Sequence, residues 1–303
     1  MTSPPLAVVL NRRAGVGRAG HEWPRLRGEL EALGVEYCLI DCDTPAEALT
    51  QARALPASWA LATVGGDGTA ASVLPEAIEG GRPLLVLPYG TGNDFAGTLG
   101  LRPGDFRSAL RCLSRPPERV DALRVTYELD GTEQSAYVLN GLGMGFDAQL
   151  TAMLPLAPAW TRGAVRYVWA ALGSLRAMQT NHCAVTLDGE PWASGPTMLC
   201  SVMNARTLGG GFQFNPDADL SDGQLNVVLA AAVHRREVPG LIARVRGGHH
   251  LTHPAVKYHP AQVAELRWDQ PTYLHIDGEV RGQSRWLRAE VLSGAVTLLN
   301  QVG

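Results

Sequence analysis

The stretch Ala60-Leu-Ala-Thr-Val-Gly-Gly-Asp-Gly-Thr69 decides the fold, because a short apolar run ends there in a glycine-rich loop and a helical pattern follows. Glycines let backbone N–H groups converge on phosphate oxygens, and the N-terminus of a helix adds a positive dipole. Asp67 lies among these donors, where its carboxylate would repel a phosphate unless it serves a metal ion or a proton transfer. Thr69 is suited to cap the helix or to bind a phosphate. The stretch therefore indicates phosphoryl chemistry on an α/β sheet, with a tight turn and a helix-capping aspartate as the alternative.

The same alternation of apolar runs and helical patterns extends to both sides of this stretch. The predicted strands are Leu6–Leu10, Glu36–Ile40, Ala60–Val64 and Leu84–Leu87. Helices are predicted over Glu22–Leu33, over Pro45–Leu55 and from Thr69. Such alternation is typical of a parallel sheet with crossover helices. The first part of the chain is therefore predicted to be an α/β domain.

Two more glycine loops follow predicted strands. Gly90-Thr-Gly-Asn-Asp94 opens another helix, and we expect it to face the same crevice as Asp67, where ligands of open α/β sheets bind. Gly15-Val-Gly-Arg-Ala-Gly20 spells G-x-G-x-x-G, and Asp41 lies near the position of a ribose-binding acid. Four residues separate this loop from its strand, however, whereas a dinucleotide fingerprint needs its tight turn at the end of the strand. A solvated loop and a second kind of phosphate loop are the alternatives. The chain contains no G-x-x-x-x-G-K-[ST], which excludes a P-loop NTPase.

Period-two segments dominate the chain from about Asp121. Asp-Gly pairs, which are strong hairpin signals between apolar runs, join these segments at Asp130, Asp188, Asp222 and Asp277. The second half is therefore predicted to be mostly antiparallel β, interrupted by helices over about 161–178 and 236–246. The Pro/Arg-rich stretch Ser114–Arg119 is the best candidate for a domain boundary.

Length and composition fit a two-domain globular enzyme. The chain has 303 residues, 46% of them hydrophobic, and a formal net charge of −3. Because no basic stripe is present, nucleic acid is excluded as a partner. Five cysteines without a C-x-x-C framework indicate reduced thiols in a cytoplasm. No apolar run approaches the ~18 residues that a membrane span needs. We therefore expect a cytoplasmic protein with no transmembrane segment and only peripheral contact at the inner membrane face, while the sequence leaves the oligomeric state open.

Five ordered motifs resemble the diacylglycerol kinase catalytic-domain family, which includes bacterial diacylglycerol and lipid kinases and is related to sphingosine kinases. They are Gly65–Thr69, Gly90–Phe95, Asn140–Asp147, blocks between Asn204 and Gly223, and His275–Glu279. The resemblance covers nearly the whole chain. It implies an N-terminal α/β nucleotide-binding domain like that of NAD kinases and phosphofructokinases, and a C-terminal, mostly antiparallel β-sandwich domain. Residues 1–120 would form the first domain, with the last strand, about 295–303, returning to it, and residues 121–294 would form the lipid-substrate domain.

The resemblance also implies an activity, the transfer of the γ-phosphate of ATP to a lipid hydroxyl group, with Mg²⁺, in a site between the domains. Glu279 would be the general base, because a lipid alcohol near neutral pH must lose its proton to a carboxylate. Asp67 would help to hold the catalytic magnesium. Contacts with ATP would come from Asn11, Gly15, Thr44, Gly65, Gly66, Asp67, Gly68, Thr69, Thr91 and Asn93. A structural magnesium would be held by Asp222 and by oxygens near Asp219 and Gln224, coupled through water to Asp94.

The chain departs from the family pattern at two places, and two other functions stay open. Arg12 stands where relatives have a proline, and Ala70-Ala71-Ser72 replaces an Asn-Glu pair, so that a carboxylate is missing. The missing carboxylate favours a catalytically weak lipid- or nucleotide-binding module as one alternative. An NAD kinase-like enzyme is the other, because that family shares the Gly-Gly-Asp-Gly loop.

The predicted helix Thr161–Met178 combines cations with aromatic residues suited to an interface. It carries Arg162, Arg166, Tyr167, Trp169 and Arg176. This combination suits an anionic membrane surface, where a lipid substrate would be found. A helix packed on the β domain with solvated arginines is the alternative.

Overall fold

The structure is a computed structural model that describes residues 3–41, 44–158, 160–161, 164–178 and 180–301. The internal contacts divide the chain into two compact units. The first unit comprises residues 1–122, 220–222 and 293–303, and the second comprises residues 123–219 and 223–292.

The first unit is an α/β structure with a parallel sheet. Its strands are β1 (Leu6–Leu10), β2 (Tyr37–Asp41), β3 (Ala60–Gly65) and β4 (Leu84–Pro88). Its helices are α1 (Arg18–Ala32), α2 (Pro45–Ala54), α3 (Asp67–Glu79), α4 (Asp94–Thr98), α5 (Phe106–Arg111) and a short 3₁₀ helix, Cys112–Ser114. The strand order is β2-β1-β3-β4, and each neighbouring pair is parallel. The predicted α/β fold of this part of the chain is confirmed.

The central strands of this sheet are covered on both faces. Every residue of β1, β3 and β4 is buried, as is typical of parallel strands between helices. Helix α1 turns Trp23, Leu26 and Leu30 towards this core. The loops at the carboxyl ends of the strands therefore extend from a closely packed sheet.

Residues far along the chain complete the sheet of the first unit. Leu298 pairs in parallel with Leu84, and the N–H of Leu299 donates to the carbonyl of Leu84 at 2.8 Å. The fully buried Asn300 accepts from the N–H of Val86 at 2.7 Å and donates to its carbonyl at 3.1 Å. The segment that follows the second unit is thus part of the first unit's core.

The second unit is mostly antiparallel β, as predicted. The strands are β5 (Glu118–Leu129), β6 (Thr132–Val138), β7 (Gly141–Gly145), β8 (Asn181–Leu187), β9 (Glu190–Met203), β10 (Leu225–Ala231), β11 (Val256–Ala261), β12 (Val263–Ile276) and β13 (Glu279–Leu298). The start of β5, residues 118–122, and the end of β13, residues 293–298, belong to the first unit. The helices are α6 (Phe146–Met153), α7 (Ala164–Ala177) and α8 (Val238–Arg246), with 3₁₀ helices at Leu154–Leu156 and His250–Thr252. One path through the sheet runs β11-β10-β9-β7-β12, and β8 pairs with both β9 and β12. Arg162 of the predicted helix 161–178 lies outside the described residues.

Three of the four Asp-Gly pairs form hairpin turns. Asp130, Asp188 and Asp277 have positive φ angles, as do the glycines after them, which is the geometry of a two-residue type I′ turn. The hairpin predicted at Asp222 is wrong. Of that pair only Gly223 has a positive φ angle, 70°, and the pair lies in the long connection from β9 to β10.

Among the described residues, no helix is both long enough and apolar enough to cross a membrane.

Candidate functional site

The loops after β3 and β4 touch through their backbones. A Cβ atom on Gly90 would lie 2.3 Å from the Cα atom of Gly66, and one on Gly66 would lie 3.1 Å from the Cα atom of Gly90. The N–H groups of Tyr89 and Gly90 also donate to the carbonyl of Gly65, at 2.7 and 2.9 Å. The two loops are therefore held against each other, and only glycine permits so close an approach.

The loop after β1 joins them. Gly15 has a φ angle of +61°, and a Cβ atom there would lie 2.2 Å from the carbonyl oxygen of Tyr89. Asn11, at the start of this loop, places Nδ2 3.5 Å from Oγ1 of Thr69. Three glycine loops thus meet at the carboxyl edge of the sheet of the first unit.

Asp67 links the loop after β3 to helix α4. Its carboxylate oxygens accept from the N–H groups of Asp94, at 2.9 Å, and Phe95, at 3.0 Å. These N–H groups begin a helix, where they lack intrahelical partners and where a negative charge is favoured. The carboxylate predicted to serve a metal ion therefore also has a structural contact.

Asn93 shapes the loop after β4. It is buried and left-handed, with a φ angle of 56°, a conformation that asparagine tolerates. Its Oδ1 accepts from the N–H of Gly90 at 2.7 Å, and its Nδ2 donates to the carbonyl of Gly90 at 2.6 Å. The side chain of Thr91, two residues before it, is exposed.

Helix α3 begins at Asp67, with Gly66 as its N-cap, two residues before the predicted start. Thr69 consequently lies in the first turn, and its N–H donates to the carbonyl of Gly66 at 2.9 Å. Of the two roles predicted for Thr69, capping this helix is wrong, because the extended backbone of Gly66 already occupies the cap position, while phosphate binding stays a prediction. Thr44 does cap a helix, since its side chain accepts from the N–H of Glu47 at 3.3 Å at the start of α2.

Arg12, which replaces the proline of relatives, forms an ion pair at the end of β2. Its Nε and Nη2 atoms lie 2.7 and 2.6 Å from Oδ2 of Asp41. The hydrogen bond to Asp41 raises the pKa of Arg12. The pair is solvent-exposed, so we expect it to add little stability. Arg12 therefore binds Asp41, the residue that would bind a ribose if the G-x-G-x-x-G loop were a dinucleotide fingerprint.

Glu279 is the first residue of β13 in the second unit. Its side chain is exposed, and Oε2 lies 3.2 Å from Nη2 of Arg281. Glu279 directly follows the tight turn formed by Asp277 and Gly278, which fixes its backbone.

The carboxylate of Asp277 anchors this turn. It accepts from the N–H groups of Leu139, Asn140 and Gly141, at 3.0, 2.8 and 3.1 Å. The sequence identified Asp277 as a turn residue within a family motif, and this anchoring role was not predicted. These three hydrogen bonds join the turn to the start of β7, and they fix the backbone next to Glu279.

The residues predicted for a structural metal site belong to different elements of the chain. Asp219, Asp222 and Gln224 lie in the turns before β10, and Asp94 is buried at the start of α4. Asp94 and Asp222 belong to the first unit, and Asp219 and Gln224 belong to the second. Within the described ranges, no group of three or more His, Cys, Asp or Glu side chains is placed to hold a metal ion. The predicted set includes main-chain and amide oxygens beside its carboxylates, and it stays a prediction.

A buried polar cluster in the second unit was not anticipated. Oδ2 of Asp147 accepts from the hydroxyl of Ser201 at 2.8 Å and lies 3.2 Å from Nε2 of His275. Gly143 makes room for this pair, since a Cβ atom there would lie 1.9 Å from Oδ2 of Asp147. Asp147 and His275 both belong to family motifs, which was the available signal in the sequence, whereas Ser201 carried none.

Comparison with known families accounts for both parts of the chain. The diacylglycerol kinase catalytic domain matches residues 5–125, and the YegS C-terminal NAD kinase beta sandwich-like domain matches residues 141–300. The chain belongs to the YegS-like lipid kinase family. The resemblance found in the motifs is confirmed, and so is the combination of an α/β domain with a β-sandwich-like domain. The family is one of kinases, that is, of phosphotransferases.

Individual relatives match this chain along most of its length. A protein of Chromohalobacter salexigens described as "Probable lipid kinase YegS-like" is 30% identical over 77% of this chain and 73% of its own length. A protein of Stenotrophomonas maltophilia with the same description is 28% identical, over 98% and 96%. A diacylglycerol kinase of Bacillus anthracis superposes with a TM-score of 0.69 at 17% identity, covering 99% of this chain and 98% of that one. This last likeness concerns the fold.

Proposed function

We propose that this protein transfers the γ-phosphate of ATP to a hydroxyl group of a lipid, diacylglycerol or a related one, in the presence of Mg²⁺. The observation that carries the proposal is the meeting of three glycine loops at the carboxyl edge of the parallel sheet, beside the N-terminus of α3. Ligands of open α/β sheets bind at this edge, and a helix N-terminus is suited to an anion. The membership in a lipid kinase family supports a nucleotide as that ligand.

The donor set of the first unit fits a magnesium-bound triphosphate. Mg²⁺ prefers oxygen ligands, and the carboxylate of Asp67, which accepts from the N-terminus of α4, is of that kind. We assign Asp67 to the catalytic ion, and we assign Asp222, with oxygens near Asp219 and Gln224 and through water Asp94, to a structural ion. When bound, the catalytic ion would offset the negative charge of the phosphates. The ATP contacts are assigned to Asn11, Gly15, Thr44, Gly65, Gly66, Asp67, Gly68, Thr69, Thr91 and Asn93.

Glu279 is assigned as the general base. A lipid alcohol is a weak nucleophile near neutral pH, so a carboxylate must accept its proton while the phosphoryl group leaves ADP and bonds to the lipid oxygen. Two observations support this role: the side chain of Glu279 is exposed, and the turn before it is anchored through Asp277.

The chain offers a matched control for this assignment. Asp188-Gly189-Glu190 repeats the local structure of Asp277-Gly278-Glu279, because both are type I′ turns followed by an exposed glutamate that starts a strand. With labelled ATP, Mg²⁺ and a total lipid extract, we expect Glu279→Gln to lower the rate of lipid labelling by about 100- to 10,000-fold. We expect Glu190→Gln to keep the wild-type rate.

Equal labelling by Glu279→Gln and wild type would reject Glu279 as the base. If the wild-type protein labels no lipid in that extract but binds the nucleotide, the binding-module alternative replaces the kinase. If it phosphorylates NAD instead, the NAD kinase-like alternative replaces it.

We also infer that the region around α7 makes a peripheral contact with the membrane that holds the lipid. Among the side chains of residues 156–172 that the structure describes, four large hydrophobic ones are more than half exposed: Leu156 (68%), Trp160 (75%), Val165 (54%) and Leu172 (62%). Arg166 and Arg176 are exposed on the same helix, whereas Trp169 is half-buried. Apolar side chains beside cations suit an anionic interface.

Two variants, each of which introduces a glutamate, test this contact. We expect Leu172→Glu to lower the fraction of protein that sediments with anionic liposomes, because one leucine buried in a membrane contributes about 1.5–3 kcal/mol. Leu33→Glu is the control, since Leu33 is similarly exposed, at 58%, but lies at the end of α1. Equal sedimentation of the two variants would contradict a contact at α7.

A further inference from the structure

A pocket of about 320 Å³ lies in the second unit, between α6, the end of α7 and β12. Helix α6 contributes Phe146, Gln149 and Met153 to its wall, and α7 contributes Ala177. Protein interiors are close-packed, and sites for small molecules begin at about 300 Å³. A pocket of this size is therefore a candidate binding site.

An interruption in the pairing of β12 shapes one side of this pocket. Strand β12 pairs with β13 up to Arg267 and again from Thr272, and the register shifts between these two residues. The irregular stretch contains Trp268 and Pro271, and both line the pocket. Bulges in a strand change the direction of side chains and are over-represented next to functional sites. The pocket thus lies where the sheet departs from regular pairing.

The polar groups of the wall are amides and hydroxyls. The amides belong to Gln149, Asn181 and Gln283, and the hydroxyl groups belong to Thr272 and Tyr273. No Asp, Glu, Lys, Arg or His is among the described residues that line the pocket. A charged molecule would lose its hydration there without gaining an ionic partner, which is unfavourable. The wall therefore selects an uncharged occupant.

These polar groups can both donate and accept hydrogen bonds. Nδ2 of Asn181 donates to Oγ1 of Thr272 at 3.2 Å, and the hydroxyl of Thr272 donates to the carbonyl of Gln270 at 2.9 Å. The first bond uses one of the two N–H donors of the amide, so the amide oxygen can accept from an occupant. Tyr273 lies opposite Gln283 in the pair of β12 and β13, so that both side chains are on one face. Hydroxyl groups, which also donate and accept, are matching partners.

Aromatic rings form much of the apolar part of the wall. Phe146 and Trp268 are buried, and Tyr273 is 36% exposed. Nε1 of Trp268 has no hydrogen-bond partner in the part of the chain that the structure describes, whereas a buried indole N–H usually has one. An acceptor on the occupant would supply this partner. A molecule with hydroxyl groups at its edge and C–H groups on its faces fits both parts of the wall.

We propose that this pocket binds an uncharged, hydroxyl-rich group such as a sugar ring. None of its described lining residues is among those assigned to ATP, Mg²⁺ or the general base, so the inference goes beyond the proposed function and does not rest on it. Leu156, one of the exposed side chains inferred to contact the membrane, also lines the pocket. The sugar can therefore arrive as a free molecule or as the headgroup of a glycolipid.

Calorimetry with methyl glycosides, without nucleotide, tests the proposal. The probes are the methyl glycosides of glucose, galactose and mannose, each compared with its uronate, which has the same ring and one carboxylate. We expect at least one methyl glycoside to bind with a Kd of about 1 mM or below. Its uronate should bind at least about tenfold more weakly, because the wall offers no partner for the charge. Absence of binding by all three glycosides, or equal binding of the uronate, would overturn the proposal.

Two variants locate the ligand in this pocket. Ala152→Trp fills the pocket from α6 and should abolish binding, whereas Gln149→Leu removes one amide and should weaken binding about fivefold, the value of one hydrogen bond. Ala32→Trp on α1 and Gln51→Leu on α2 are the controls, since both residues are exposed on helices of the first unit, and they should match the wild type. Thermal unfolding establishes that each variant is folded. Wild-type binding by either pocket variant would overturn the assignment.

Liposomes distinguish the two sources of the sugar. Phosphatidylcholine liposomes with and without a monoglycosyl diacylglycerol, which carries the sugar that binds best, are sedimented with the protein. A larger sedimented fraction with the glycolipid, reversed by the free methyl glycoside and absent in Ala152→Trp, would support a membrane headgroup. Binding of the free glycoside without any effect of the glycolipid would support a soluble sugar. An increase that Ala152→Trp retains would overturn the proposal. Since no measurement needs turnover, a failure of lipid labelling rejects the kinase and leaves this site to be judged by binding alone.

Discussion

Gly66 and Gly90 are constrained by what lies opposite them and not by an unusual backbone angle. The nearest atom to a Cβ on Gly90 is a Cα atom, which cannot rotate away as the end of a long side chain can. Neither residue has a positive φ angle. Both are therefore required for the close contact between two loops, and the sequence shows this need only as glycine-rich composition.

An alanine at position 90 measures this contact. We expect Gly90→Ala to lower the free energy of unfolding by about 1–3 kcal/mol, because the added methyl group forces the loops apart. Gly97→Ala is the control, since nothing lies within 4 Å of a Cβ there and α4 should gain helix propensity. Urea unfolding compares the two variants. A Gly90→Ala protein as stable as the wild type would mean that the loops separate without cost.

The hairpins allow two similar elements to be compared. Asp277 and Asp188 occupy the same position of a type I′ turn, with φ angles of 47° and 50°. Each carboxylate accepts from backbone N–H groups: three buried ones at Asp277, and those of Gln262 and Val263 in an exposed setting at Asp188. The two turns thus share their backbone strain and differ in the N–H groups to which the aspartate carboxylate is hydrogen-bonded.

We expect Asp277→Ala to cost more free energy of unfolding than Asp188→Ala. Each buried donor left without a partner costs about 1–3 kcal/mol, whereas exposed N–H groups bind water instead. The strain of alanine at a positive φ angle is common to both variants, so it cancels in the comparison. Urea unfolding supplies the two values. Equal costs would show that the turn, and not the anchoring of β7, is what Asp277 provides.

Local patterns predicted these elements well wherever one period or one turn decides the structure. The strand Leu6–Leu10 has the predicted bounds, and three Asp-Gly pairs form their hairpins. Contacts between residues that are far apart in the sequence could not be predicted from local patterns. The N–H groups of α4 that Asp67 binds, and the meeting of Asp147, Ser201 and His275, depend on packing that brings separate segments together. The family motifs predicted the lipid kinase family, while the roles of Glu279, Asp67 and the metal ligands stay predictions.

At the scale of the whole molecule, the first unit is assembled from segments at both ends of the described chain. Leu298 extends the sheet beside β4, and Asn300 makes two hydrogen bonds with Val86 in the buried interior. Gln301, the next residue, donates one hydrogen bond to the carbonyl of Pro116 from an exposed setting.

These neighbours give a matched test of the closing segment. We expect Asn300→Ala to lower the free energy of unfolding by about 1–3 kcal/mol, because the buried N–H of Val86 loses its partner. Gln301→Ala should change it by no more than about 0.5 kcal/mol. Amide hydrogen exchange at Val86 should accelerate in the first variant alone. Unchanged exchange there would show that the C-terminal segment does not secure β4.

The discontinuous sheet also sets an order of events during protein synthesis. Residues 6–88 leave the ribosome early, but their neighbour at Leu298 is translated only after the whole second unit. At about 5–20 residues per second, this delay is on the order of 10 to 40 seconds. During that interval β4 is an edge strand whose unpaired backbone groups can pair with other nascent chains. The first unit to be translated is thus the last that can be completed.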